Sequence, residues 1–381
     1  MDALRRFALP AALWVGVPVL LWYTTRAPFG WIGMWLAVLI MVEGVRRKRA
    51  LVFNLAWLFV LIGGAELILW AAAPDTGKVI PGNFQKAYSG PHDVLGYAPI
   101  ANKSGPARRE LEGETVYDVV YSIGPHGWRV MPAATDPAPE KTVFCFGCSF
   151  MFGEGMPDDG AMAWLLGENL RDSHRVYNFA FQGYGPHQML AALESGIVAR
   201  TAEGMATDAF FLTSVGHAGR AAGRRRWDKR GPRYVVADDG SVRRDGTFAA
   251  LPQETYWERR WRKFIGKSWL VYTLRGQPWQ GAEPKDVALW IGITTAARDQ
   301  VERRWPGSRF HVLLWDTSPE ADALYETALK DAGVRVYRMS SLLEGLTEDW
   351  SRWALDPYDP HPNAEAHRKV AEFMAERVKN R

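Results

Sequence analysis

The chain has 381 residues, 46 of them Lys or Arg and 42 Asp or Glu, for a formal charge of +4. That length allows one large domain or two modest ones. The near balance of charge argues against a partner captured by bulk electrostatic attraction, nucleic acid included.

The average composition hides an asymmetry. Residues 7–24, 28–45 and 51–73 are almost continuously apolar, with Glu43 close to one end and Glu66 inside the third run. Each run is about long enough to cross a ~30 Å hydrocarbon core, the second marginally so. Trp22, Trp31, Trp57 and Trp70 lie towards segment ends, as interfacial aromatics do. A cleavable leader is the rival reading of the first run, but two further apolar runs follow and no small-residue cleavage site stands out. Residues 1–74 are therefore predicted to be an anchor of three transmembrane helices. Arg5 and Arg6 precede the first, Arg26 alone separates the first two, and Arg46, Arg47, Lys48 and Arg49 precede the third. The positive-inside rule puts the N-terminus and the 46–49 loop in the cytoplasm, and everything after Pro74 outside. The predicted location is the cytoplasmic (inner) membrane, with a large periplasmic domain. Glu66 is expected to face another helix or to sit near the outer interface.

Residues 75–140 are rich in Gly, Pro and polar residues, with strand-like patches at 116–122 (VYDVVYS) and 128–130. They predict a small β-rich lead-in, serving as spacer and edge cover. From residue 141 short apolar strands alternate with amphipathic helices. The strands fall at 143–146, 176–179, 209–212, 310–315 and 334–337, and the helices at 160–171, 186–201, 284–304, 318–332 and 364–379. This alternation predicts an α/β domain over 141–381, with a mostly parallel sheet covered on both faces. Residues 219–280 break the rhythm as an insertion. It opens on a basic cluster from Arg220 to Arg233. A helical stretch follows in which Trp257, Trp261, Phe264 and Ile265 share one face. The expected role is a solvated loop and a helix packed on its own domain; the alternative is a membrane surface or an anionic polymer.

The domain is organised around residues 142–156, TVFCFGCSFMFGEGM. A buried strand breaks at Gly147 and presents Ser149 where open α/β sheets place reactive groups. The plain alternative is a serine that only caps a helix. Cys145 and Cys148 form a C-x-x-C, but residues three apart in extended chain are roughly 10 Å apart, too far for a disulfide. Both are expected to be small buried hydrophobes. A serine needs a base to take its proton, and the base needs a third group to hold it. Tyr358-Asp359-Pro360-His361-Pro362-Asn363 supplies both ahead of the last helix. Pro362 disfavours helix at His361 and Asn363 is a good N-cap, so His361 is expected on a loop. Asp359 and Asp356 are both candidates for its acid. Oxyanion donors are sought in the Ser149 N–H and in Gly183, just after a strand.

Three blocks in this order resemble the SGNH (GDSL-type) hydrolases, over about residues 141–379, with membrane-tethered members the nearest likeness. Gly147-Cys148-Ser149-Phe150 is similar to the Gly-Asp-Ser block, with Cys148 where Asp is usual. Asn178–Gly185 is similar to the second block, which makes Gly183 the glycine donor. Asp359-Pro360-His361-Pro362-Asn363 is similar to the last block, one residue shorter than Asp-x-x-His. The third block's Asn is missing from Thr213-Ser214-Val215-Gly216-His217, leaving His217 as its substitute. The resemblance implies a three-layer α/β/α sandwich and ester hydrolysis or acyl transfer without metal or cofactor. Gly-x-Ser-x-Gly fails at Met151, no Gly-Lys-Ser/Thr follows the glycines, and His217, His361 and His367 lack a zinc spacing.

The expected protein is a membrane-anchored serine esterase or acyltransferase. Ser149 is its nucleophile, His361 its base, Asp359 its acid, and Gly183 and His217 its oxyanion residues. Its partners would be the cytoplasmic membrane, an ester-bearing envelope polysaccharide or lipid and, for a transferase, an integral membrane acyl donor. The alternative is a non-catalytic binding or assembly subunit on the same fold.

Overall fold

The computed structural model describes residues 12–24, 27–72, 85–111, 113–251, 255–265, 267–275, 284–317 and 319–380. The chain divides into two compact units, Met1–Asp75 with Gln253–Pro278, and Thr76–Pro252 with Trp279–Arg381.

The first unit contains α1 (Val17–Thr24, continuing a π-helical turn over Ala12–Gly16), α2 (Pro28–Arg46) and α3 (Ala50–Ala72). Among the described residues only α2 and α3 are long and apolar enough to cross a membrane, with mean hydropathies of 1.6 and 2.0. Three spans were expected; among the described residues two helices are candidates. The first run forms an apolar helix over Leu13–Thr24, which at 1.5 Å per residue reaches only about 18 Å; residues 7–11 lie outside the described residues. The insertion contributes two more helices to this unit, Tyr256–Ile265 and Trp269–Arg275. Phe264 stacks on Trp22 (5.0 Å between centroids) and meets Phe29 edge-on, while Lys267 Nζ donates to the Trp22 carbonyl at 2.9 Å. Glu66 is buried in α3. Its carboxylate accepts from Ser268 Oγ and, at 2.7 Å, from the Trp269 N–H. The buried acid is therefore matched to N–H and O–H donors at a helix start. The insertion helix was expected to pack on its own domain; it belongs instead to the unit of the apolar helices.

The second unit opens with two antiparallel pairs, β1 (Ser89–His92) with β2 (Gly96–Pro99) and β3 (Ser104–Leu111) with β4 (Glu114–Ser122). The five expected strands follow as β5 (Lys141–Phe146), β6 (His174–Asn178), β7 (Met205–Thr213), and, beyond the insertion hairpin β8 (Pro232–Val236) and β9 (Val242–Thr247), β10 (Arg309–Leu314) and β11 (Arg335–Arg338). They form one parallel sheet in the order β11-β10-β7-β5-β6. The central strands read as continuous apolar runs because both their faces are covered. Val143, Phe144, Cys145 and Phe146 are all buried, as are Phe210 to Leu212 and Val312 to Leu314.

Strand order fixes where the helices go. From β5 the chain steps outward to β6 through α4 (Ser149–Phe152) and α5 (Met162–Asn169). It then reverses, passing β5 to reach β7 through α6 (Pro186–Glu194), and continues the same way to β10 and β11. Right-handed crossovers therefore put α5 on one face and α6 on the other. The reversal opens a crevice at the carboxyl ends of β5 and β7, the switch point of the sheet. Ser149 leaves β5 there. After β11, a short antiparallel pair β12 (Ala354–Asp356) and β13 (Asp359–Pro362) leads into the last helix, Ala364–Lys379, which packs beside α5.

The basic cluster of the insertion is largely occupied within this unit. Arg220 donates to the Tyr184 carbonyl at 2.6 Å, Arg224 pairs with Asp286, and Arg233 pairs with Asp245.

Candidate active site

Ser149 is the first residue of α4, with Cys148 in extended conformation as its N-cap. The turn between β5 and α4 depends on Gly147, whose φ is +155°. A Cβ there would lie 2.8 Å from Met151 Cβ and 3.0 Å from the Leu212 carbonyl. Asn178, at the end of β6, steadies the same turn by donating from Nδ2 to the Met151 carbonyl at 3.1 Å. Cys145 and Cys148 are free and buried, as expected, and burial pushes the Cys145 thiol well above its ordinary pKa.

His361 reaches Ser149 from β13. Its Nε2 is 2.9 Å from Ser149 Oγ, and its Nδ1 is 2.5 Å from Asp359 Oδ1. The expected loop is in fact a strand. The extended conformation imposed before Pro362 pairs with β12, and Asn363 then caps the last helix by accepting from the Ala366 N–H at 3.1 Å. Asp359, not Asp356, is the carboxylate on the imidazole, and it also accepts from the His361 N–H at 3.2 Å. Asp356 instead closes the β12–β13 turn by accepting from the Tyr358 N–H.

Two charged residues that the sequence analysis did not single out complete the cluster. Asp359 is fully buried, and its Oδ2 pairs with Arg109 Nη1 at 2.7 Å. Arg109 comes from β3, more than two hundred residues away, and no local signal marks it. Glu154 sits between Gly153 and Gly155 just beyond α4, with Oε2 3.5 Å from His361 Nε2. Gln182 Nε2 donates to this oxygen at 3.0 Å and Tyr117 OH approaches the other at 3.4 Å, while Tyr88 OH holds Gln182 at 2.6 Å. A carboxylate flanked by glycines after the serine turn was the available signal. Phe150 lies against the imidazole, its ring 5.3 Å away, and also meets Trp315.

These neighbours set the protonation states. Burial pulls the His361 pKa down, but the Glu154 and Asp359 carboxylates outweigh it and the net shift is upward. Burial pushes Asp359 the other way; the His361 hydrogen bonds and charge, with Arg109, outweigh it and hold this carboxyl below its ordinary range. The acid stays ionised while the imidazole keeps its proton to higher pH than usual.

Gly183 has a φ of +78°. Its flank is closed, since a Cβ there would lie 2.6 Å from Tyr97 Oη and 2.7 Å from Trp227 Nε1. His217 is buried in the short helix Gly216–Ala221, with Nδ1 2.9 Å from Thr213 Oγ1. Its Nε2 has no hydrogen-bond partner. Burial holds its pKa well below the ordinary value, so the ring is neutral. It makes no hydrogen bond or ion pair with Ser149, His361 or Asp359, so the structure does not join it to the other site residues. Among the described residues no group of three or more His, Cys, Asp or Glu side chains is arranged to hold a metal ion. A cavity of about 260 Å³ at the β6 edge, lined by Trp128, Met131, Arg171 and Tyr177 among others, reaches Asn178 but includes none of Ser149, His361, Asp359, Glu154 and Gly183.

No protein-family profile matches the sequence, and no curated protein matches it. Solved structures resemble it faintly. One is a lipolytic protein of the G-D-S-L family from Desulfitobacterium hafniense DCB-2, at 11% identity over 62% of this chain and 98% of that one, with a TM-score of 0.36. Another is a carbohydrate esterase, at 10% identity over 69% and 70%, with a TM-score of 0.34. A third is an acetyl xylan esterase from the rumen bacterium Butyrivibrio proteoclasticus, at 8% identity over 74% and 72%, with a TM-score of 0.33. Likeness at this level says nothing of chemistry.

Proposed function

We propose that this chain is a membrane-anchored serine esterase or acyltransferase of the SGNH type, acting on esters of envelope polysaccharide or lipid. The observation that carries the reading is the continuous relay Ser149 Oγ, His361, Asp359, with contacts of 2.9 and 2.5 Å. Ser149 Oγ attacks the ester carbonyl while its proton passes to His361 Nε2. The carbon–oxygen bond to the alcohol breaks, and the departing oxygen takes that proton. Water, or an acceptor hydroxyl, then gives its proton to Nε2 and attacks the acyl-serine, and Ser149 leaves with the proton restored. Asp359 holds the imidazole in the right tautomer, and Arg109 keeps Asp359 charged. The Ser149 N–H, at the start of a short helix, and Gly183 are the proposed oxyanion donors.

The anchor is assigned to α2 and α3. Their connection carries Arg46, Arg47, Lys48 and Arg49. Placing it in the cytoplasm puts the chain after α3 outside, whether or not the first apolar run crosses. The proposed location is thus an extracytoplasmic catalytic unit on the cytoplasmic membrane. Acyl transfer would draw on a separate integral membrane donor.

The test is activity-based labelling of the full chain in detergent with a fluorophosphonate, the adduct being mapped by mass spectrometry. Labelling is expected at Ser149 and is expected to vanish in Ser149→Ala and His361→Ala. A folded protein that never labels would move the assignment to a non-catalytic binding subunit.

A further inference from the structure

Glu154 has no part in the serine–imidazole–aspartate relay, yet it faces the same imidazole nitrogen. Its Oε2 lies 3.5 Å from His361 Nε2, which is itself 2.9 Å from Ser149 Oγ. The protein holds the carboxylate from behind through Gln182 Nε2 and Tyr117 OH. Both the Glu154 and His361 side chains keep a narrow opening to solvent, 14% and 15% exposed. An ionised carboxylate offers about four lone-pair sites, and these two partners leave the rest for a ligand.

Ester chemistry at this relay fixes where one substrate atom must be. The alcohol oxygen that leaves, or attacks, exchanges its proton with His361 Nε2 and so must sit beside that nitrogen. The next polar group along the alcohol then lies within reach of Glu154. Arg109 pairs with Asp359 and not with Glu154, so a second carboxylate beside His361 disfavours an anionic group at that position.

We infer that Glu154 is a specificity-determining residue. It accepts a hydrogen bond from a hydroxyl adjacent to the ester oxygen, so the alcohol side of the substrate is a polyol such as a sugar ring with a free neighbouring hydroxyl. The inference rests on the serine-esterase reading above and names the substrate class of that site.

The experiment compares 2-hydroxyethyl acetate with 2-methoxyethyl acetate on the full chain in detergent. The methyl ether caps the neighbouring oxygen so that it can no longer donate, and adds one methyl group whose bulk meets a side chain of the same shape in the Glu154→Gln variant. The wild type is expected to favour the hydroxy ester in kcat/KM by roughly ten- to a hundredfold, the scale of one hydrogen bond to a charged group. Glu154→Ala should bring the ratio to within about twofold. Glu154→Gln, which retains an acceptor of the same shape, should give an intermediate ratio and serves if the Ala variant folds poorly. Equal rates on both esters in the wild type, or a preference that survives Glu154→Ala, overturn the inference. Hydrolysis of p-nitrophenyl acetate, lost in Ser149→Ala, reports on the underlying reading separately. If no Ser149-dependent turnover occurs, both fall together.

Discussion

His361 is held between two carboxylates that act on it differently. Asp359 fixes the ring through Nδ1, whereas Glu154 approaches the nitrogen that, in the proposed mechanism, must be neutral to take the serine proton. A raised pKa means that activity is lost at higher pH on acidification than an ordinary imidazole, near 6.5, would give. Removing the Glu154 charge removes the largest influence that raises it. Glu154→Gln should therefore move the acidic limb of the kcat/KM profile to lower pH. A limb that stays in place or moves up would contradict the assignment. That Ser149, His361 and Asp359 come together was legible in the sequence because Gly147–Phe150 and Asp359–Asn363 each carry their pattern locally. Arg109 was not, because only the tertiary placement of β3 brings it to Asp359. His217 was singled out by its position in the chain, and the fold ties its Nδ1 to Thr213 and leaves Nε2 without a hydrogen-bond partner.

At the scale of elements, the turn from β5 into α4 determines where Ser149 points. Gly147 is needed there for its backbone angle and for its missing Cβ, which would press on Met151 and on the β7 backbone. Gly147→Ala should cost about 1–3 kcal/mol of stability, and lower kcat more than KM by turning the hydroxyl away from His361. Thermal unfolding and steady-state kinetics on the same preparation check both parts. Unchanged stability would mean that the turn relaxes freely. The five sheet strands and most of the helices were legible because burial on both faces writes them as apolar runs. The 186–201 helix proved to break at Gly196, whose φ is +75°, leaving Pro186–Glu194 and Ile197–Thr201. The β12–β13 pair was hidden by its own prolines, which read as loop until a partner strand is supplied.

At the scale of the whole molecule, the division of the chain was the least legible feature. Apolar length alone suggested three spans where two helices qualify, because the first run's described helix is too short. Residues 253–278 belong with the N-terminal helices, a long-range association that periodicity cannot reveal. Glu66 tests it. Glu66→Ala leaves Ser268 and the Trp269 N–H without their shared acceptor, and the loss expected is about 1.5–3 kcal/mol locally, the worth of hydrogen bonds to a charged group. Limited proteolysis of the full chain in detergent should then cut within 253–278 faster than in the wild type. Equal rates would sever the link between the two segments.

The bond from α3 to Ser268 also bears on what the N-terminal helices are. A leader that a peptidase discards has no lasting obligations to the rest of its protein. Here a carboxylate in the third apolar run satisfies a helix start some two hundred residues later, and Trp22 supports Phe264 and Lys267. Trimming the first seventy-five residues would orphan that segment and uncover Trp22's partners beside the already exposed Trp257, Trp261 and Leu274. Such a trimmed protein should be sticky rather than soluble unless residues 253–278 are removed with them. The N-terminal helices and residues 253–278 form one unit, and the two sequence pieces that compose it are expected to be kept, or removed, as a pair.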